Sequence, residues 1–132
     1  MIEKITIIRL RRPVHQSLNE ELQWFGHSLG LFNLRDKDKS CFRIFIELLK
    51  ASKTELPLSS DELAYSLSLT RGTVVHHINK LIETGLVTTT KKRYVLREPN
   101  LEVLLDKIKN DFEKAHAELR AMAKEIDDRL GL

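Results

Sequence analysis

The sequence predicts a mainly helical fold with a small β-hairpin, and three observations lead to this prediction. Five segments repeat their apolar residues every three or four positions, as amphipathic helices do. Two short runs rich in β-branched residues flank a basic tip near position 92. The last helical segment keeps its apolar spacing over three heptads. The chain has 132 residues, which is enough for one domain to bury a core without disulfides.

The charge of the chain is unevenly distributed. Residues 1–97 contain 16 Lys and Arg against 10 Asp and Glu, whereas residues 98–132 contain 6 against 9. Within residues 70–97, six basic residues accompany one acidic residue. A basic middle beside an acidic tail favours contact with a polyanion, and the alternative is a solvated surface with uneven charges.

Composition also limits the class of protein. The single cysteine, Cys41, cannot form an intramolecular disulfide, and we find no leader peptide and no apolar run near the ~20 residues that span a bilayer. We therefore expect a soluble, cytoplasmic protein with no membrane partner. No phosphate-binding loop, nucleophile elbow or zinc-protease spacing is present in the sequence. We expect neither an enzyme nor a bound metal or cofactor.

The first 57 residues divide into an N-terminal strand or arm, residues 1–13, and two helices within residues 14–57. The stretch ITIIRLRRP is rich in β-branched residues and ends at Pro13, which favours an edge strand over a basic arm into a minor groove. Ser17 and Glu20 form a capping box, and Gly30 ends this first helix. In the first helix, Trp24 and Phe25 are interpreted as core residues, with a ligand pocket as the alternative.

The second helix, in DKSCFRIFIELLKAS, has an unusually wide apolar face. Phe42, Phe45, Ile46 and Leu49 share a stripe. Ile44 and Leu48 add apolar surface beyond it, so we expect the helix to be covered on more than one side. Cys41, near its start, is interpreted as a small buried residue, with a redox-sensing thiol as the alternative.

Residues 58–97 have the layout of a winged helix-turn-helix. A helix capped by Ser59 is separated by a short turn from a second helix, which begins after Thr70 and ends before Gly85. A hairpin follows as the wing. It lacks an Asn-Gly or Gly-Gly turn, so its turn type is not specified by the sequence.

The second of these helices contains two adjacent histidines. At about 100° per residue, His77 lies on the inner side of the helix and His76 on the outer side. We therefore interpret His77 as a hydrogen-bonded core residue and His76 as a contact residue. Side chains that point about 100° apart are poorly placed to bind one metal ion.

Residues 98–132 predict a long helix capped by Asn100. Its apolar residues alternate three and four apart, and they are Leu105, Ile108, Phe112, Ala115, Leu119, Met122 and Ile126. Such a seam requires a partner, and we expect the same helix of a second copy, paired parallel or antiparallel. The alternative is packing only against the first two helices of the same chain.

The stretch TRGTVVHHINKLIETGLV resembles the recognition helix and wing entry of ArsR-type winged-helix regulators, and MarR-type regulators are similar. The resemblance covers about residues 58–97 and implies a homodimeric transcriptional regulator whose residues 70–80 enter the major groove. Metal-sensing members carry a Cys-x-Cys ligand set in the preceding helix, and this chain has none there. Other members place acidic and histidine ligands along the last helix. Here that helix offers only His116, with acidic residues at spacings that do not reproduce such a set. Metal sensing is therefore not implied.

The predicted partner is double-stranded DNA. Arg71 suits guanine, Asn79 suits adenine, and Val75 suits a thymine methyl group, while the lysines and Arg93 suit phosphates. The complete set of predicted contact residues is Thr70, Arg71, Gly72, Thr73, Val75, His76, Asn79, Lys80, Lys91, Lys92 and Arg93. Two alternatives remain: a protein-interaction module of the transcription machinery, and a ligand or redox sensor on the same dimer. The effector, if there is one, is not identified by the sequence.

Overall fold

The computed structural model describes residues 3–14, 17–33 and 38–132. Within them the chain forms five helices and three strands: α1 (Leu18–Ser28), α2 (Ser40–Ala51), β1 (Leu58–Ser59), α3 (Ser60–Leu67), α4 (Arg71–Glu83), β2 (Val87–Thr90), β3 (Arg93–Leu96) and α5 (Leu101–Leu130). The fold is mainly helical, with a small antiparallel sheet and a long C-terminal helix. The predicted winged helix-turn-helix fold is confirmed.

The helix starts follow the capping residues read from the sequence. In four helices, the side-chain oxygen of the N-cap residue accepts a hydrogen bond from the backbone N–H three residues later. These N-caps are Ser17, Ser59, Thr70 and Asn100. Each cap satisfies one of the N–H groups that the first helical turn leaves without an internal partner, which fixes where the helix begins.

The core lies where α2, α3 and α4 meet. Ile44 and Phe45 of α2, Leu63 of α3, and Val74 and Ile78 of α4 are all fully buried. Helix α2 is covered on more than one side, as its wide apolar face predicts. The residues expected to extend this face, Ile44 and Leu48, are buried, whereas Ile46 and Leu49 of the stripe are only partly buried.

Helices α1 and α2 approach each other closely at Gly26. A Cβ atom at Gly26 would overlap the ring of Phe42, so any larger residue at this position would force the ring to move. Phe32, just beyond α1, packs edge-on against the same ring, with centroids 5.1 Å apart. The small residue thus lets α1 lie flat on the core.

The predicted N-terminal strand is wrong, because residues 3–14 form neither helix nor strand. They run as a strap across two helix ends. The backbone N–H groups of Glu3 and Lys4 donate to the carbonyl of Glu83, and that of Ile8 donates to the carbonyl of Ser28. Carbonyls at a helix C-terminus lack partners within the helix, and the strap satisfies two of them with its own N–H groups.

The sheet contains one strand that the sequence did not indicate. Its order is β1-β3-β2, with both pairings antiparallel. Leu58 pairs with Tyr94 and Ser59 with Arg93. Strand β1 has only two residues, which is too short to show a period-2 pattern. Since Ser59 also caps α3, the sheet is tied directly to the helix-turn-helix.

The hairpin between β2 and β3 closes through a two-residue turn, Lys91-Lys92. Both residues have positive φ, 50° and 64°. This left-handed pair is the conformation that favours Asn-Gly, because residues with a Cβ adopt it at a cost of about 1–2 kcal/mol each. The two lysines therefore occupy a turn whose backbone conformation is strained for residues that carry a Cβ atom.

Replacing the turn by Lys91→Asn with Lys92→Gly should relieve this strain. We expect the free energy of unfolding to rise by about 1–2 kcal/mol. Urea denaturation followed by circular dichroism measures the change, and the double variant Lys91→Ala with Lys92→Ala is the control, because it removes the same charges and keeps the strain. An equal gain in both variants would show that charge repulsion, not backbone strain, limits stability.

Candidate nucleic-acid interface

The buried side of α4 determines which residues it presents outward. Val74, Ile78 and Leu81 are buried against the core. The opposite side is exposed and includes Gly72, His76, Asn79 and Lys80, while Thr73 and Val75 are partly buried at its two edges. The structure thus brings together on one face of α4 most of the residues predicted to read DNA.

The two adjacent histidines separate as the helix geometry predicts, although less completely. His76 is exposed and His77 is partly buried. Their rings lie edge to face, with centroids 5.2 Å apart. His77 also lines a cavity of about 780 Å³ between the strap, residues 29–33 and 38–41, and α4, so it lies at the border of the core rather than within it.

Arg71 lies at the first position of α4 and reaches back toward α3. Its Nε atom is 3.6 Å from an Oδ1 atom of Asp61, and both side chains are more than 70% exposed. An ion pair this open is weak, typically below about 1 kcal/mol. The guanidinium of Arg71 is therefore weakly bound to Asp61 and can leave it for another hydrogen-bond acceptor.

Gly72 is not required by packing within the chain. A Cβ atom built at this position meets no heavy atom within 4 Å, and Gly72 has ordinary helical φ. Glycine in a helix costs up to about 1 kcal/mol relative to alanine. The fold thus gains nothing from this glycine, which leaves a flat surface on the outer face of α4.

The wing tip contributes fewer free charges than the sequence indicated. Lys91 and Lys92 are exposed at the turn. Arg93 instead lies on the central strand, where its Nη1 atom donates to the carbonyl of Pro57 at 3.1 Å and pairs with the carboxylate of Glu62. Arg93 therefore fastens the wing to α3, which its predicted role as a phosphate contact did not anticipate.

Tyr65 is an exposed aromatic residue of α3 that sequence reasoning missed. Its exposed fraction is 91%, and it projects away from the buried Leu63 and Leu67 of the same helix. The sequence did contain a signal, because an aromatic residue that lies outside the apolar stripe of its helix is expected to face solvent. A phenol on this helix offers a hydrogen-bond donor to a group outside the chain.

The first part of α5, residues 101–111, is called its root, and a double ion pair fastens it to the end of the wing. Both Nη atoms of Arg97 contact the carboxylate of Asp111, and the side chains are 26% and 13% exposed. The hydrogen bonds from Arg97 lower the pKa of Asp111, and burial acts against them more weakly. The same contacts raise the pKa of Arg97. Helices α1–α4 and the sheet are together called the body. The Arg97–Asp111 pair fixes the direction in which α5 extends from this body.

Beyond this root, α5 exposes its apolar seam. The exposed members beyond Asp111 are Phe112, Ala115, Leu119, Met122 and Ile126, and Leu105, before Asp111, is also exposed. Ile108, counted in the same seam from its spacing, is only 5% exposed and belongs to the core of its own chain. The alternative in which the whole seam packs inside one chain is excluded for residues 112–132, all of which are exposed.

The remaining candidate residues are distributed as follows. Cys41 is buried in the core, an environment that does not favour a reactive thiolate. Trp24 and Phe25 are partly buried and line an apolar cleft of about 360 Å³ beside Arg12. The indole N–H of Trp24 donates to the carbonyl of Leu10, which holds the strap against α1.

Across residues 3–14, 17–33 and 38–132, no group of three or more His, Cys, Asp or Glu side chains is arranged to hold a metal ion. In the same part of the chain, no helix is both long and apolar enough to cross a membrane.

Comparison with known proteins agrees with this geometry. Residues 38–90 match the family model of a helix-turn-helix domain, which is less than half of the chain. The match includes α2, α3 and α4 and ends with β2. No curated protein and no solved structure matches the chain significantly. The chain thus contains a helix-turn-helix domain, a module that indicates a DNA-binding regulator.

Replacing Asp111 by Asn tests the ion pair at the root of α5. The depressed pKa of Asp111 means that the folded state gains stability above the unfolded pKa, near 4, and loses that gain as the pH falls through the folded pKa. We expect Asp111→Asn to lower the free energy of unfolding by about 1 kcal/mol at pH 7, and the difference should begin to shrink below about pH 4 and disappear only below the depressed pKa of Asp111.

Urea denaturation at several pH values measures this effect. The exposed Asp106, five residues earlier on α5, gives the control variant Asp106→Asn, for which we expect little change. A loss for Asp111→Asn that is as large at pH 3 as at pH 7 would show that packing, not charge, holds the root.

Proposed function

We propose that this chain is a sequence-specific DNA-binding transcriptional regulator that acts as a homodimer. One observation carries the proposal: the outer face of α4 combines polar, positively charged and small residues, while its inner face is fixed by the core. A rigid helix that presents such a face is what a major groove accepts. The resemblance of residues 58–97 to ArsR-type regulators supports the same function.

Direct reading of bases is assigned to the start and middle of α4. Arg71 donates in a bidentate manner to guanine after leaving Asp61, and Asn79 pairs with adenine. Val75 contacts a thymine methyl group from the edge of the same face. His76 and Thr73 contact a base or a phosphate. The flat surface at Gly72 allows the DNA backbone or a base edge to approach closely.

Contacts with the phosphate backbone surround this face. Lys80 on α4 and the turn lysines Lys91 and Lys92 neutralise phosphates without reading sequence. Thr70 supplies a hydroxyl at the start of α4. Tyr65 donates its phenol to a phosphate, because the first helix of a helix-turn-helix crosses the backbone. Arg93 acts indirectly by holding the wing at α3.

The homodimer follows from the exposed seam of α5. A stripe of large apolar side chains that lies in water favours association, since each such side chain contributes about 1.5–3 kcal/mol when fully buried. Two copies related by a twofold axis would read half-sites about 34 Å apart, or one helical turn. The operator should then be pseudo-palindromic.

Arg71→Ala and Lys92→Ala separate base reading from phosphate contact. On the best-bound duplex we expect Arg71→Ala to lose about 1–3 kcal/mol of binding free energy and to relax one base position. Lys92→Ala should weaken binding to all sequences alike and reduce the salt slope by about one unit. Fluorescence anisotropy at several salt concentrations measures both. If Arg71→Ala lost the same binding free energy on every duplex, Arg71 would not be a residue that reads a base.

Gly72→Ala should move stability and binding in opposite directions. We expect the variant to gain about 0.5–1 kcal/mol of folding stability, because alanine favours the helix and its Cβ meets no atom of the chain. The same Cβ should weaken DNA binding at least tenfold, or about 1.4 kcal/mol. Thermal denaturation and anisotropy measure the two effects. Unchanged affinity would place the DNA elsewhere.

Leu119→Lys tests the dimer. Leu119 is 71% exposed, so a charge there costs little within one chain but blocks burial in a pair. We expect dissociation to monomers in sedimentation velocity, with folding stability of the monomer retained. The control is Ala117→Lys, which adds the same charge at an exposed position away from the seam. A native chain that sediments as a monomer would contradict the homodimer.

A further inference from the structure

The exposed seam of α5 continues a helix face that the chain itself already covers. At about 100° per residue, Phe112, Leu119, Met122 and Ile126 all project within about 40° of Ile108. Ile108 and, one turn earlier, Leu104 are buried against the body on that face. The body therefore occupies the face over residues 101–108, and the same face becomes free from residue 112 onward.

This arrangement decides how a second copy can use the seam. In a parallel pair, residues 101–108 of the second helix would run along the face where the body of the first copy lies, and the reverse would hold for the other body. In an antiparallel pair, only residues 112–130 overlap, over about 28 Å. The buried residues 101–108 of each helix then lie beyond the end of the other helix.

We propose that two copies of this chain associate through residues 112–130 of α5 in an antiparallel coiled coil. This inference rests on the proposed homodimer and adds its orientation. The bodies of the two copies then lie at opposite ends of the helix pair, so in this orientation we expect half-sites more than one helical turn apart, at a multiple of about 34 Å.

The charges beside the seam do not set this orientation. In the heptad fixed by the seam, one flank carries Glu118 and Glu125, and an antiparallel pair places Glu118 near Glu125 of the second copy, which costs some repulsion at exposed positions. The other flank carries His116 and Ala123, which add no repulsion. The orientation therefore rests on the part of α5 that its own chain covers, and not on charge pairing.

The ion pair at the root of α5 limits how the helix can be oriented relative to the body, and therefore how two copies can pair. Arg97 holds Asp111 at the end of the buried part of α5, so the helix cannot swing away from the body without breaking this pair. A parallel pair would require that swing, because only diverging helix roots would leave room for both bodies. The antiparallel pair requires no movement at this point.

Distances between spin labels on the full chain test the orientation. Buried Cys41 is first replaced by Ser, and single cysteines are then introduced by Glu113→Cys, Ala121→Cys or Asp128→Cys, all exposed and turned away from the seam. Sedimentation velocity checks that each labelled protein is a dimer. Pulsed electron paramagnetic resonance then measures the distance between the two copies of each label.

An antiparallel pair predicts the shortest distance at position 121 and distances about 6–10 Å longer at positions 113 and 128, since axial separation grows by about 3 Å for each residue from the centre and adds to the lateral separation as a square root of summed squares. Similar distances at all three positions would indicate a parallel pair and overturn the inference. A dimer without measurable distances would place the interface elsewhere and also overturn it. Monomers in sedimentation would overturn the homodimer itself.

Discussion

The burial of one side of α4 is the constraint on which the rest of the molecule depends. Val74, Ile78 and Leu81 lock this helix against α2 and α3. Because a helix rotates by about 100° per residue, fixing one side fixes every residue of the other side. The outer face can therefore carry residues that contribute nothing to stability, such as Gly72, without any change in its direction.

The surrounding structure keeps this face in place with polar contacts at the edges of the core. The strap at residues 3–14 holds the end of α4 through the carbonyl of Glu83. Arg93 joins the wing to α3, and Arg97 joins the wing to α5. The acidic partners on α3 also neutralise cations near the proposed DNA surface. Its net positive potential thus depends on the lysines more than on the total count of basic residues.

The sequence predicted the features that depend on local chemistry. N-caps such as Thr70 fixed helix starts, and spacing of apolar residues separated the inner and outer sides of α4. Prediction from the sequence failed for the features that tertiary contacts determine. The β-branched strap formed no strand because its N–H groups meet helix ends instead of a sheet. Arg93 looked like a free cation, since nothing local shows that Glu62, 31 residues earlier, would pair with it.

The most direct test of the account is selection of bound duplexes from a random DNA pool at near-physiological salt, followed by sequencing of the retained molecules. A twofold symmetric motif is the predicted result, and its half-site spacing would report the distance between the two α4 helices. Salt-sensitive retention without a motif would contradict sequence-specific reading, and no retention would contradict DNA binding and favour an acidic protein as the partner of the basic surface.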